Sequence, residues 1–273
     1  MRTFNKYLNL CKVYIGIGIS AACLLGIILH ILINGLEHIT LSFLFTVHAP
    51  RAQTIVPMVI TTVIVVVLTL LISAPLGIGS AIYLNEYARS SSRFIKAVRV
   101  AIVTLSGIPS IIYGLFGFLF YVIMLGWTWS ILAGVMTVAI MVLPIIIRSS
   151  EEALKSVPIS YREGSFALGA GKFHTIRKVV LPSAVPGILA SVILAIGRIV
   201  GETAALIMTA GTLVALPSSL FSSASTLAVF MYTITVEGTD MDAAYATAVI
   251  LMAVVLLLNT VANIIGNRLR PGD

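Results

Sequence analysis

Arg198 and Glu202 stand four residues apart in the apolar run AIGRIVGETAAL, residues 195–206. Between Pro182 and Pro217 most of the remaining residues are Ala, Ile, Leu, Val or Gly. A charge at the centre of a bilayer costs about 2.5–3.5 kcal/mol on insertion scales, so a pair kept there needs a purpose. Arginine suits one purpose well. Its planar fork stays charged and pairs bidentately with phosphate-like oxyanions. A carboxylate nearby weakens that attraction, as an anion path requires, because a site that holds its ion tightly does not pass it on. The competing reading is a buried structural ion pair that links spans. Spacing alone leaves both open.

Residues three and four apart on a helix share a face. On one continuous helix that rule collects Ser191, Ala195, Arg198, Glu202, Ala205, Thr209 and Thr212, all small, hydroxylic or charged. A face two positions away holds Leu189, Ile193, Ile196, Val200, Thr203 and Ile207, mostly large and apolar. The polar stripe is expected to face protein or a water-filled cavity. Gly197 and Gly201 form a small-x-x-x-small pair that would let another helix approach closely.

The elements that must position these residues are membrane spans. Of 273 residues, 59% are hydrophobic and only 10% charged, against about 25% charged in soluble domains. About 20 apolar residues at 1.5 Å rise cross a hydrocarbon core of roughly 30 Å. Six such stretches are expected, at about 13–36, 54–83, 100–124, 128–147, 184–214 and 245–266. Pro57 and Pro75 predict a kink or a late start in the second. Residues 1–273 therefore read as one all-α, polytopic membrane domain.

Basic residues orient it. Arg2, Lys6 and Lys12 precede the first span; Arg89, Arg93, Lys96 and Arg99 lie in the 84–99 connection; Arg268 and Arg270 end the chain. The 148–182 connection adds Arg148, Lys155, Arg162, Lys172, Arg177 and Lys178. The opposite side has Arg51 alone, with Glu37, Glu237, Asp240 and Asp242. Both termini are thus expected in the cytoplasm. The net charge of +7 is a topology signal, not a nucleic-acid footprint. Trp127 and Trp129 fit an interfacial anchor beside a short outer turn.

Most connections are short, so 148–182 stands out. Ser149 with Glu152, and Ser160 with Glu163, have capping-box spacing. They predict a helix to about Lys155, ended by Val157-Pro158, and another from Tyr161 to Leu168, stopped by the glycines at 169 and 171. A third helical stretch, Phe173 to Val180, leads into Leu181-Pro182. Short helices projecting from a membrane domain are shaped to dock a partner. Gly171-Lys172 is not the end of a phosphate-binding loop, since residues 166 and 173 are both Phe and no strand precedes it.

This stretch resembles the coupling loop of ABC-importer permeases, whose pattern is E-A-A, three residues, Gly, nine residues, then I-x-L-P. Here it runs Glu163-Gly164-Ser165, three residues, Gly169, nine residues, then Val179-Val180-Leu181-Pro182. Both alanines are replaced by other small residues, which still suit entry into a groove. GRIVGETAALIMTAG, residues 197–211, is similar to the G-R-x-x-G-E-T stretch of phosphate-specific ABC permeases. PLGIGSAIYLNEYA, SGIPSIIYGLFG and LPIIIRSSEEAL fit the same family, and the Ala-Ala-Leu after GET looks more like its PstA type. The resemblance implies a type I ABC importer permease fold in the inner membrane. It also implies a second homologous permease, two ATPase subunits that carry ATP and Mg, and an extracytoplasmic phosphate-binding protein. The family's phosphate-linked arginines fall on Arg198 and Arg148, the latter also readable as a snorkelling anchor. Its ATPase-coupling positions fall on Glu163, Gly164, Ser165, Gly169, Leu181 and Pro182.

The first apolar segment is longer than a signal-peptide core and no A-x-A site follows, so a cleaved leader is not expected. Cys11 and Cys23, and His30, His38, His48 and His174, show no metal-ligand spacing, and no cofactor is expected on this chain. Glu86 is expected to pair with Arg89, and Gly114 and Gly117 to serve helix packing. The 216–244 segment reads either as a contact for a binding protein or as a solvated loop. A permease for another oxyanion, such as sulfate or molybdate, is the alternative within the class. A membrane enzyme using Glu202 lacks a nucleophile–base or H-E-x-x-H motif, and a passive channel would need no docking loop.

Overall fold

A computed structural model of the chain describes residues 2–45, 54–89 and 92–269. All regular structure among them is helical. Within a bilayer every backbone N–H and C=O must be satisfied inside the chain, and long apolar helices do this. Five are long and apolar enough to cross: Lys12–Leu36, Val56–Tyr87, Ile131–Lys155, Lys172–Val200 and Met241–Gly266. They belong to α1 (Arg2–Leu36), α3 (Val56–Ile82), α6 (Ile131–Lys155), α9 (Leu181–Val200) and α12 (Met241–Leu269), with α2 the short Leu41–Phe45. Arg51 and Arg270 lie outside the described residues.

The expected third span is broken. α4 (Arg93–Ser106) and α5 (Ser110–Gly117), which continues as a π-helical stretch to Met124, meet at a 100° bend. Pro109 explains it: a proline disfavours helical geometry in the residue before it and offers no N–H, so the helix stops at Ser106. Inside the corner the Tyr113 hydroxyl donates to the Leu105 carbonyl at 2.9 Å.

The expected fifth span, 184–214, is also interrupted. α9 ends at Val200 with Gly201 as its C-cap, and after a two-residue gap the short α10 (Ala204–Thr209) begins. An irregular segment then leads to α11 (Leu227–Glu237). The 216–244 region is therefore neither wholly loop nor wholly solvated: Leu227, Ala228, Val229, Phe230 and Ile234 are buried. Thr226 caps α11 through the Val229 amide, and Thr62 of α3 accepts the Leu227 amide at 2.9 Å.

Two helices run further than expected. α6 is capped by Ser130, whose side chain accepts the Ala133 amide, and continues unbroken from Ile131 through Pro144 to Lys155. The capping box at Ser149 therefore starts no helix; the neighbouring Ser150 hydroxyl instead meets that of Ser191 at 3.1 Å, joining α6 to α9. α3 continues into a π-helical turn, Tyr83–Tyr87, past the expected end at residue 83.

The core lies between α3, α6 and α9, closed by α5 and α10, and is built from Val65, Val66, Val138, Met141, Val142, Ile146, Ile196, Ile199 and Leu206. Close approach decides the glycines here. A Cβ on Gly114 would sit 2.8 Å from the Ala205 Cα, and one on Gly117 would collide with Thr137. Both glycines serve packing, as expected. At the far edge the end of α1 meets the start of α12, with Gly35 against Tyr245.

Candidate functional site

Arg198 is the last basic residue of α9 and is exposed on that helix. Among the described residues no hydrogen bond or ion pair is made by its guanidinium. Gly197, Gly201 and Leu194 are exposed beside it, and a Cβ on Gly197 would meet nothing within 4 Å. Among the described residues the expected glycine-mediated helix contact is therefore not made.

The expected continuous polar stripe does not form either. Ser191 and Ala195 are buried, Arg198 is exposed, and the helix stops before Glu202. The expected apolar face is divided in the same way, since Ile196 and Val200 are themselves in the core. Glu202 is 6% exposed, and its carboxylate accepts the Ala205 amide at 3.1 Å in the first turn of α10. First-turn amides are orphan donors with partial positive charge, which explains how the acid is tolerated. Arg198 and Glu202 form no ion pair among the described residues. Arg148 is exposed on α6 and bonds Glu152 one turn on, Nε to Oε1, at 3.3 Å. Arg148 and Glu202 thus both have partners, whereas Arg198 has none among the described residues.

The second assembly of residues sits where α6, α7 (Ile159–Ala167) and α8 (Lys172–Thr175) meet; α8 runs through a π-helical turn, Ile176–Val180, into α9. Pro158, not Ser160, occupies the N-cap of α7. Gly169 ends that helix at φ +83°, where a side chain would be strained by about 1–2 kcal/mol. The Ser165 and Thr175 hydroxyls meet at 2.9 Å and hold α7 to α8. Between them lies a groove of about 740 Å³ lined in part by Tyr161, Gly164, Leu168, Gly169 and His174. Glu163 and Gly164 are exposed; Leu181 packs beside Val180, Ala184 and Ala153, and Pro182 opens α9.

Several large apolar residues of this loop point outward, while Val157, Ile176 and Val180 are buried. Leu168 is 91% exposed, and Ile159, Tyr161, Phe166 and Phe173 are exposed with it. Cations flank them at Lys172, Arg177 and Lys178, also exposed. Exposed large apolar side chains rimmed by charge are the kind of surface through which proteins associate.

What holds this surface to the bundle was missed by sequence reasoning. Arg162 reaches into the membrane domain, donating to the Val157 carbonyl at 2.9 Å, the Leu154 carbonyl at 3.0 Å and the Glu86 carboxylate at 2.8 Å. Its side chain is 17% exposed and that of Glu86 9%. Glu86 therefore pairs with Arg162, 76 residues away, and not with Arg89. Breaking a pair this enclosed by removing one partner costs about 3–5 kcal/mol, because the other charge is stranded. Nearby, Arg99 and Lys155 both reach the buried Glu151 carboxylate at 2.8 Å. An acid one turn before a lysine at the end of an apolar helix was the available signal for that cluster.

Comparison with known proteins identifies the family. Residues 73–272 match the model of the binding-protein-dependent transport system inner membrane component. The probable ABC transporter permease protein YqgI of Bacillus subtilis is 36% identical over 186 residues, covering 67% of this chain and 63% of that protein. The phosphate transport system permease protein PstA homolog of Mycoplasma pneumoniae is 38% identical over 186 residues, 66% of this chain and 28% of its own. PstA 1 of Mycobacterium tuberculosis is 39% identical over 132 residues, 48% of this chain and 42% of its own. The chain thus spans less than two thirds of the length of these curated relatives. In fold it is similar to a chain of a bacterial alginate ABC transporter, with TM-score 0.70, 17% identity and coverage of 96% and 94%. A chain of the MetNI methionine ABC transporter gives 0.61 at 20% identity, covering 80% and 94%. The broken spans, the projecting two-helix loop and a match over most of the chain agree: this protein belongs to the family of binding-protein-dependent transport system inner membrane components.

Proposed function

We propose that the chain is a permease subunit of an ATP-driven importer of inorganic phosphate, with both termini and the 148–182 loop in the cytoplasm. One observation carries the reading. The loop presents Leu168, Phe166 and Phe173 to the outside of the molecule on helices tied rigidly to the spans through Arg162. So much apolar surface amid cations calls for a protein partner. That partner is an ATPase subunit, one of two, carrying ATP and Mg. The α7–α8 groove receives part of it, with Glu163 and Gly164 at the contact and Gly169, Ser165, Leu181 and Pro182 fixing the loop's shape.

The second part of the reading concerns the anion. Arg198 has no ion-pair or hydrogen-bond partner among the described residues and lies on an exposed flank of α9, beside Gly197 and Gly201. Facing lipid, that charge would cost about 2.5–3.5 kcal/mol. Facing a second, homologous permease across a wet path, it supplies a bidentate donor to a passing phosphate. Arg148 offers a further positive charge at the cytoplasmic end, moderated by Glu152. The names of the PstA relatives support phosphate as cargo; the methionine and alginate transporters share the fold at low identity and leave the cargo open. Another oxyanion, such as sulfate or molybdate, is the alternative.

Reconstitution with the second permease, the ATPase subunits and an extracytoplasmic phosphate-binding protein tests this directly. Phosphate uptake that depends on ATP and on that binding protein is expected. Uptake restored only by a sulfate- or molybdate-binding protein would overturn phosphate as the cargo while leaving the permease role standing.

A further inference from the structure

The π-helical turn at the end of α3, Tyr83–Tyr87, is held by three cations from three different elements. Arg162 of α7 donates to the Glu86 carboxylate at 2.8 Å, where Asn85 also donates at 2.8 Å. Arg99 of α4 donates to the Leu84 carbonyl at 3.0 Å and reaches Glu151 of α6 at 2.8 Å. Lys172, at the start of α8, lies over the Tyr87 ring at 4.8 Å from its centroid. A π-turn leaves one residue more per turn than an α-helix and is enriched where helices do functional work. This one joins the docking loop, through Arg162 and Lys172, to the broken span, through Arg99.

The chain of contacts continues. α4 is joined to α5 by the Tyr113 bond to the Leu105 carbonyl, and α5 packs on α10, where a Cβ on Gly114 would sit 2.8 Å from the Ala205 Cα. We infer that the Tyr83–Tyr87 turn is the relay by which movement of the docked loop is passed to the bent α4–α5 span. Arg162 and Arg99 are its positioning residues; neither touches the cargo. The inference rests on the docking reading above and deepens it. Rigid helices with charged, multiply bonded joints transmit displacement because each joint resists separate movement of its two sides. The Arg162 joint resists most, with three acceptors on three residues.

The test uses the complete reconstituted transporter and measures three quantities: ATPase subunit that copurifies, ATP hydrolysed and inorganic phosphate carried. Arg162→Gln should retain the ATPase subunit and its hydrolysis while phosphate carried per ATP falls by about three- to thirtyfold, the range in which coupling-network substitutions act. Arg162→Lys keeps the charge toward Glu86 but loses the fork to the two carbonyls, so it should fall between. A merely structural role would lower assembled protein and both rates together and leave the ratio unchanged. An unchanged ratio in assembled Arg162→Gln overturns the inference alone. A wild-type chain that binds no ATPase subunit overturns the docking reading and the inference together. Should Arg162→Gln fail to assemble, the exposed Tyr87→Leu variant decides: a lowered ratio supports the relay and an unchanged one removes it.

Discussion

The Glu202 carboxylate accepts the Ala205 amide at 3.1 Å, so an acid buried in the membrane domain secures the first turn of α10. Its position follows from the end of α9 at its C-cap Gly201, which leaves Glu202 outside both helices just ahead of α10. Glu202→Gln keeps an oxygen to accept that amide, whereas Glu202→Ala leaves the donor unmet at a cost of about 0.5–2 kcal/mol. The alanine variant should therefore melt lower than the glutamine variant in detergent. Equal melting of the two would remove the capping role. Loss of uptake in Glu202→Gln at wild-type melting would show that the negative charge itself is used.

Membrane orientation makes a separate prediction. Ser160 lies at the start of α7, and Thr239 just beyond α11; both are exposed. Single cysteines at these positions, in a chain lacking Cys11 and Cys23, should label oppositely in intact cells. An impermeant thiol reagent should reach Thr239→Cys and spare Ser160→Cys. Labelling of the Ser160 position from outside would invert the topology.

Composition made the spans legible because hydrocarbon admits only helices and closed barrels, and uninterrupted apolar runs of about 20 residues fit the helix. It could not mark where they break. The corner at Ser106 was written in Ile108-Pro109, yet apolar residues on both sides made one span look continuous. The stop at Gly201 was hidden the same way: the polar stripe from Ser191 to Thr212 kept its period across a turn that ends the helix. Charge pairing was read only from local spacing, which offered Arg89 to Glu86. The actual partner, Arg162, is brought in by the fold from a distant segment. The loop fared better because its glycine and Leu-Pro offsets are local. Gly169 does take the positive φ that a helix-ending glycine supplies.

That loop supports a surface test which folding does not confound. Leu168 is 91% exposed, so Leu168→Asp removes almost no internal packing. Insertion and melting of the permease should stay near wild type, while copurification of the ATPase subunit drops sharply. Gly169→Trp acts differently: the bulky residue is strained at φ +83° and reshapes the end of α7, so it should uncouple hydrolysis from uptake or block assembly. Normal uptake by both variants would remove the docking role of the loop.

Arg198 gives the sharpest division between structure and transport. With no carboxylate paired to it among the described residues, Arg198→Leu strands no buried charge, and leucine is far cheaper in a membrane. The permease should assemble at least as well as wild type and carry no measurable phosphate. Arg198→Lys keeps a positive charge but loses the planar fork, so uptake should fall without vanishing. A structural ion pair predicts the reverse pattern: Arg198→Leu would destabilise the complex, and adding Glu202→Leu would restore both assembly and uptake. The geometry predicts no such rescue, because removing Glu202 also removes the acceptor of the Ala205 amide. Uptake and melting measured on Arg198→Leu, Arg198→Lys and the double variant separate the cases. Full transport by the double variant would eliminate Arg198 from the anion path.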